Sequence, residues 1–281
     1  MDRTRRIAIH GARLVEKREE GFFTILIDGR IITALGLDGT VNTEGYDLYD
    51  ACGKYIMPGF IEMHGHFYGR ATSEMKSQHE GYCPLYLAGG ITTVRTPGEF
   101  EPEETLRWKK EIEAEHAVGP RILSAGSYFD HNPSIVRWIE GCDTQDEIQE
   151  KYERWKAKNN FFKVYSSTPP EWIKTVADLA HRDGKKVYGH LGMSSAKDAI
   201  DAGIDGLEHG MFTMSELYDA PSPRISDEAL LRFDPDGAEA DAVIQKVIAH
   251  NVAITPTSIT FMLAGSTYSD WLEEIDGYRF L

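Results

Sequence analysis

The hydrophobic positions of the chain follow one pattern up to about residue 57 and a different pattern after it. In the first part, short apolar runs without helical periodicity are broken by Gly, Asp and Asn. Asp28-Gly29 lies between two of these runs, and such a dipeptide between apolar runs is a hairpin signal. The pattern therefore predicts a small β unit at residues 1–55.

From residue 56 onward, short apolar runs alternate with amphipathic stretches. The runs read YIMPGFIEM, GGITTVRT, PRILSAG, FFKVYSS, KKVYGHL, GIDGLEHG and NVAITPT. The amphipathic stretches predict helices over about 103–117, 144–159, 170–183, from Ser194, and over about 236–250. The third has the clearest pattern, because it begins at a proline, repeats apolar residues every three or four positions and ends at Gly184.

Strands that alternate with helices imply a parallel sheet. Seven strands in series, without a G-x-G-x-x-G phosphate loop, favour an α/β chain with a (β/α)₈ TIM-type barrel over a doubly wound sheet. We place this barrel at residues 56–281, with seven strands present and the eighth missing. A complete barrel typically needs about 250 residues, and the residues after 257 read as a polar loop with aromatics.

Composition and charge narrow the classes of function. The 281 residues are 41% hydrophobic and 27% charged, with a net charge of −15. Such an acidic chain repels phosphate backbones and anionic lipid, which argues against nucleic acid and membranes as partners. The N-terminus lacks the apolar segment of a secretory signal, and the three cysteines form no pairing motif. We therefore expect a cytoplasmic protein.

Five side chains that could carry chemistry fall at the carboxyl ends of the predicted strands. His64 and His66 share a face at the end of the first strand, His190 and His209 end the fifth and sixth, and Lys163 interrupts the fourth. Taken singly, each histidine reads as a polar or hydrogen-bonded residue, and the lysine as salt-bridged or snorkelling. Their joint placement favours a shared metal site. We expect six other histidines to be structural or solvent-facing: His10, His79, His116, His131, His181 and His250.

With these residues in place, the chain resembles the amidohydrolase superfamily, and within it the imidazolonepropionase-like and prolidase-like hydrolases. The matching segments lie between about residues 20 and 257 in the order found in the family. They read GKYIMPGFIEMHGH, LAGGITTVRTPG, FFKVYSS, VYGHLG, GLEHG and VAITPT. The resemblance covers most of the chain, and it implies that the N-terminal β unit is part of a composite β-sandwich.

The resemblance also implies a role for each of the five residues. His64 and His66 would bind the more buried of two divalent ions, His190 and His209 the more exposed one, and a carbamylated Lys163 would bridge them. One or two Zn²⁺ ions suit these ligands, and other divalent metals are alternatives. The implied reaction is hydrolysis of an amide or other C–N bond in a small molecule or short peptide, by a metal-activated water.

The chain departs from the family pattern at the eighth strand, whose aspartate serves as proton acceptor. Asp270 and Asp276 lie in the polar loop, before the point where that strand would begin, and neither is assigned the role. The catalytic base is therefore unknown. The chain is interpreted as a fragment, as half of a split enzyme, or as a degenerate metal-binding protein without turnover. A Schiff-base enzyme built on Lys163 is a further alternative, but such an enzyme would not need the histidines.

Candidate substrate-binding residues lie in the loops and beside the metal ligands. Tyr68 and Arg70 follow the first strand, and His131 lies in the loop SYFDHNPS. Tyr165 shares the face of Lys163, where it would donate a hydrogen bond to the attacked oxygen or pack in the core. Arg70 is either a clamp for a substrate carboxylate or a solvated loop residue. The sequence does not rank cyclic amides against dipeptides, and it leaves assembly into a homo-oligomer open.

Overall fold

The computed structural model describes residues 5–17, 20–67, 79–99, 101–132, 134, 139–218 and 233–260. The chain divides into two compact units, residues 1–60 and 61–281. Tyr68, Arg70, Asp270 and Asp276 lie outside the described residues. In the described part of the chain, none of the helices has the length and apolar character needed to cross a membrane.

The first unit contains a five-stranded sheet. Its strands are β1 (Arg6–Leu14), β2 (Phe23–Asp28), β3 (Ile31–Leu37), β4 (Asp47–Asp50) and β5 (Tyr55–Ile56). The order is β3-β2-β1-β4, with β5 also paired to β1. The predicted hairpin is confirmed, because β2 and β3 are antiparallel and Gly29 has the positive φ that a tight turn requires. The second layer of the predicted sandwich stays a prediction.

The second unit alternates strands and helices, as the hydrophobic pattern predicts. Its strands are β6 (Phe60–Glu62), β7 (Ile91–Thr96), β8 (Arg121–Ser124), β9 (Phe162–Val164), β10 (Val187–Gly189), β11 (Gly206–Glu208) and β12 (Ala253–Thr255). Its helices are α1 (His79–Ala88), α2 (Pro102–Glu113), α3 (Gln145–Trp155), α4 (Pro170–Arg182), α5 (Ala196–Asp201) and α6 (Ala238–Ala249). Six of the seven apolar runs contain one strand each, and the run YIMPGFIEM contains both β5 and β6.

These strands form two sheets, in which the pairs β9–β10, β10–β11, β11–β12 and β7–β8 are parallel. One sheet has the order β12-β11-β10-β9, and the other has the order β6-β7-β8. An isolated parallel bridge between Phe129 and Val164 links the segment after β8 to β9. Because parallel strands end at the same edge of a sheet, the residues that follow β9, β10 and β11 lie side by side. The α/β class is confirmed; closure into a barrel stays a prediction.

Two details differ from the sequence-based expectation. The run YIMPGFIEM is divided at Pro58-Gly59, so that β5 pairs with β1 and β6 joins the second unit. Helix α1 lies between the first two strands of the second unit, where the sequence pattern predicts no helix. Its hydrophobic periodicity is weak and Pro84 lies inside it, so that the usual helical signals are missing.

Helix α4 shows how the helices cover the larger sheet. Pro170 occupies its first turn, where the missing N–H costs no hydrogen bond. Ile173, Val176 and Ala180 are fully buried and belong to the main hydrophobic core. Their spacing of three and four residues places them on one face, which explains why this helix was predicted most clearly.

The burial of α4 leads to a prediction about stability. Ile173→Ala should lower the free energy of unfolding by about 2–5 kcal/mol, because it removes buried methyl groups and leaves a cavity. Ile248 is also helical but 66% exposed, and Ile248→Ala should change stability by less than about 0.5 kcal/mol. Urea denaturation of the two variants provides the comparison. Equal effects at both positions would contradict the packing described here.

Candidate metal centre

A cavity of about 450 Å³ opens at the carboxyl ends of the strands of the second unit. The first strand, β6, leads into His64 and His66, β9 carries Lys163, and His190 and His209 directly follow β10 and β11. All five predicted ligands line this cavity. Its described lining is Glu62, His64, Gly65, His66, Tyr86, Tyr128, Lys163, Tyr165, His190, His209, Thr257 and Thr260.

Hydrogen bonds fix the orientation of His64 and His66. His64 Nδ1 lies 2.8 Å from a carboxylate oxygen of Glu208, and His66 Nδ1 lies 2.9 Å from the carbonyl oxygen of Gly98. A carboxylate and a carbonyl can only accept hydrogen bonds, so both rings carry their proton on Nδ1. The lone pair of each neutral ring is therefore on Nε2.

The two Nε2 atoms face each other at 3.2 Å. Two lone pairs at this distance repel unless a cation lies beside them. Two imidazole nitrogens bound to one tetrahedral zinc ion are separated by about 3.3 Å, given Zn–N bonds of about 2.0–2.1 Å. The chemistry and spacing of this pair therefore fit one edge of a zinc coordination sphere.

His190 and His209 extend the cluster on the other side of His64. The ring centroid of His209 lies 4.6 Å from that of His64 and 4.5 Å from that of His190. His209 has φ of 67°, a left-handed conformation that is costly for a residue with a side chain and often occurs at functional sites. Its Nδ1 lies 2.7 Å from the hydroxyl of Thr257.

Lys163 lies in the floor of the cavity and is 1% exposed. Burial lowers the pKa of its amine to about 7, against the opposing effect of the Glu208 carboxylate and with a smaller contribution from Arg95. A large fraction of the amine is therefore neutral near pH 7. The neutral form is the one that can react with carbon dioxide to give a carbamate.

The donor set is incomplete before that reaction. Within the part of the chain that the structure describes, no group of three or more His, Cys, Asp or Glu side chains has a geometry that could hold a metal ion. The imidazole pair offers two nitrogen donors, and a carbamate on Lys163 would add two oxygen donors. The residues fit a divalent metal on condition that the lysine is carbamylated.

Arg95 and Glu208 complete the surroundings of His64, and neither is among the site residues predicted from the sequence. Both are buried, and Glu208 Oε1 accepts a hydrogen bond of 2.7 Å from Arg95 Nη2. The sequence does contain a signal for both residues. Each is a charged residue within an apolar run that predicts a strand, as Lys163 is.

The residues predicted to bind substrate have different positions. Tyr165 lines the cavity, with its ring 4.6 Å from that of His190 and 5.0 Å from that of Tyr128. Tyr128, which the sequence analysis did not select, donates a hydrogen bond to the carbonyl of Gly98. His131 is not among the described lining residues and stacks on Trp172 instead. Tyr68 and Arg70 lie outside the described residues.

Burial keeps the histidines of the cavity neutral, which is the form that binds metal. Desolvation lowers the pKa of His66 and of His190 to about 3, and it also lowers the pKa of His64 and His209. Outside the cavity, it lowers the pKa of the buried His79 to about 4.

These shifts predict a stability that depends on pH in the metal-free protein. A histidine with a depressed pKa contributes stability that is present above its unfolded pKa of about 6.5 and is lost as the pH falls. Each such histidine lowers the free energy of unfolding by roughly 1–2 kcal/mol for every pH unit below about 6.5. Burial raises the pKa of Glu99 to about 8, so this carboxyl acts in the opposite direction and offsets about one histidine.

Counting only the three histidines whose pKa falls to about 3 or 4, and subtracting the effect of Glu99, we expect the free energy of unfolding to fall by at least roughly 2–3 kcal/mol per unit between pH 6.5 and pH 4.5. Urea denaturation in the presence of a chelator measures this slope. His66→Gln should reduce the slope, whereas His116→Gln, at an exposed position, should leave it unchanged. A stability that does not vary over this range would contradict the burial of neutral histidines.

Comparison with known proteins shows the family to which the chain is related. A sequence profile of the amidohydrolase family matches residues 55–267. A dihydroorotase from Caldanaerobacter subterraneus subsp. tengcongensis is 25% identical over 198 residues, which are 65% of this chain and 42% of the relative. The chain therefore spans less than half the length of this relative.

Solved structures show the same fold at low sequence identity. A Xaa-Pro dipeptidase with methionine bound in its active site is 21% identical with a TM-score of 0.64, over 90% of this chain and 66% of the other. An ochratoxinase from A. niger is 18% identical with a TM-score of 0.66, over 94% of this chain and 68% of the other. At these identities the likeness concerns the fold alone.

Proposed function

This chain belongs to the amidohydrolase family, and on that premise we propose that it hydrolyses an amide or other C–N bond with a metal-activated water. The observation that carries the proposal is the pair of Nε2 atoms of His64 and His66, 3.2 Å apart in a cavity that Lys163, His190 and His209 also line. The (β/α)₈ barrel of residues 56–281 and the composite sandwich are parts of the same proposal.

Each part of the donor set has a separate role in this proposal. His64 and His66 would hold one divalent ion, His190 and His209 would hold a second, and Lys163 as a carbamate would supply oxygen ligands to both. When bound, the ions lower the pKa of a water molecule toward about 7 and polarise the scissile carbonyl. Zinc suits imidazole and carboxylate-like ligands, and other divalent ions are alternatives.

The chain's own residues orient the substrate and exclude water. The cavity of about 450 Å³ accommodates a dipeptide or a cyclic amide. In this proposal Tyr165, whose ring lies beside that of His190, donates a hydrogen bond to the oxygen that becomes negative during attack. The names of the relatives, dihydroorotase and Xaa-Pro dipeptidase, favour a cyclic amide or a dipeptide with a C-terminal proline as substrate.

A second candidate function is metal binding without turnover. Among the described residues, Glu62 is the one acidic side chain in the cavity lining, and its Oε1 accepts a hydrogen bond from the backbone N–H of His64. No described residue takes the place of the family's strand-eight aspartate.

The experiment that separates the candidates combines metal analysis with turnover. The full chain, loaded with zinc and bicarbonate, is incubated with Xaa-Pro dipeptides and cyclic amides. We expect bound zinc and measurable hydrolysis in the parent chain. His190→Asn should lower the zinc content and abolish hydrolysis, whereas both should be kept in His181→Asn, whose exposed ring binds Asp205. Zinc binding without hydrolysis would favour the second candidate, and hydrolysis insensitive to His190→Asn would contradict a role for this site.

A further inference from the structure

We propose that Arg95 and Glu208 form a buried positioning pair that fixes the proton of His64 on Nδ1 and so directs its Nε2 lone pair into the cavity. The inference rests on the proposed function, because it concerns how the chain prepares one metal ligand. It adds two residues to the site that do not line the described cavity and that the sequence analysis did not select.

Glu208 connects two partners through its two carboxylate oxygens. Its Oε2 accepts the hydrogen bond of 2.8 Å from His64 Nδ1, and its Oε1 accepts the bond of 2.7 Å from Arg95 Nη2. The side chain is 0% exposed, so it has no access to bulk water. Because each oxygen has a different partner, the carboxylate is held in one orientation and acts on the imidazole instead of entering the cavity.

Arg95 is fixed from several directions. Its Nη1 donates a hydrogen bond of 2.7 Å to the carbonyl of Met63, the residue directly before His64. Its guanidinium carbon lies 3.9 Å from the ring centroid of Tyr188 and 4.5 Å from that of Phe161, distances at which a cation is attracted to an aromatic face. Arg95 therefore fixes the Glu208 carboxylate, which contacts the His64 ring, and also the backbone carbonyl directly before His64.

Gly206 makes room for this arrangement. A Cβ atom at this position would lie 2.4 Å from a ring carbon of Tyr188, so that a larger residue would displace the ring from Arg95. The positions of Gly206 on β11 and Tyr188 on β10 are paired in the sheet. Gly206, in the run GIDGLEHG, is therefore required on steric grounds, because it leaves space for the Tyr188 ring that packs on Arg95.

The charges of the pair are consistent with this role. The guanidinium of Arg95 is a permanent cation and donates a hydrogen bond to Oε1 of Glu208, and a bond from a charged donor favours the ionised carboxylate. A carboxylate that accepts from the second nitrogen of a metal-binding imidazole fixes its tautomer and raises its basicity, and loss of such a partner typically costs about 10–100-fold in metal affinity.

The first test measures metal affinity by a spectroscopic readout that does not depend on turnover. Cobalt(II) is titrated into the full chain with bicarbonate, and its visible absorption reports the ligand field. We expect Glu208→Gln to bind cobalt about 10–100-fold more weakly, with a changed spectrum. Glu216→Gln is the matched control, since Glu216 is a partly buried glutamate that accepts from the backbone N–H of Lys197, and it should behave as the parent chain does.

The outcomes separate this inference from the function on which it rests. If the parent chain binds cobalt and Glu208→Gln binds it equally well with the same spectrum, the positioning role is overturned and the proposed function stands. If the parent chain binds no cobalt at this site, the proposed function fails. Thermal unfolding of each variant shows whether Glu208→Gln is folded when the titration is made.

A second test uses the parent chain alone, so that it holds even if Glu208→Gln does not fold. Long-range ¹H–¹⁵N spectra of the metal-free protein distinguish the two imidazole tautomers. The signals of His64 are assigned by their loss in His64→Gln. We expect the proton on Nδ1 at neutral pH, and a proton on Nε2 would overturn the inference whatever the metal affinity.

Discussion

Lys163→Met should remove the bridging ligand and reduce hydrolysis by at least about 10³-fold, because activation of water by the metal pair contributes several kcal/mol. Methionine is close to lysine in length and is apolar, so it fills the same buried space without an ionisable group. The folded chain should therefore be retained. Zinc content, turnover and thermal unfolding of the variant measure the three effects separately.

The matched control for this substitution is Lys185→Met. Lys185 lies before the start of β10, at the end of that strand opposite His190, and donates to the backbone carbonyls of Lys156 and Asn159. Its loss should affect stability and leave zinc content unchanged. Incubation of the parent chain with ¹³C-labelled bicarbonate and zinc should give a carbamate signal in ¹³C NMR that is absent in Lys163→Met. Full zinc loading and turnover in Lys163→Met would contradict a role for the lysine.

Zinc should stabilise the folded chain by about 4 kcal/mol when its free concentration is 1,000 times the dissociation constant, provided that the unfolded chain does not bind it. The reason is that the four imidazoles converge only in the folded state. Metal binding should also reduce the acid sensitivity described above, since a bound imidazole cannot take up a proton at the ligating nitrogen. Thermal unfolding at several zinc concentrations, with bicarbonate present, measures the shift.

Two variants distinguish binding at the cavity from binding elsewhere. His66→Asn should remove most of the zinc-dependent shift, because it deletes one of the two facing nitrogens. His116→Asn, at an exposed histidine, should leave the shift intact. An equal zinc effect in both variants would mean that zinc stabilises the chain through a site other than this cavity.

The order of strands and helices could be predicted from the sequence because each element has its own local signal. Buried strands read as apolar runs, and α4 reads as a repeat of three and four residues that begins at a proline. Helix α1 could not be predicted in this way, since Pro84 and weak periodicity remove the signal. The division of YIMPGFIEM at Pro58-Gly59 depends on pairing between distant strands, which no local pattern specifies.

The candidate site could be predicted only in part. The histidines and Lys163 were selected because they are polar residues at the ends of apolar strands, and the structure brings them to one cavity. Arg95 and Glu208 are 113 positions apart in the sequence, and their relation depends on the packing of two sheets. The tautomers of His64 and His66 depend on Glu208 and on the carbonyl of Gly98, which is backbone and has no sequence signal.

Zinc-edge anomalous diffraction from crystals of the full chain, grown with zinc and bicarbonate, tests most directly whether these side chains share a pair of cations. We predict one peak about 2.0–2.1 Å from Nε2 of both His64 and His66, and a second beside His190 and His209, with Lys163 between them. Zinc found only at surface residues, with these nitrogens unligated, would contradict the proposed metal centre.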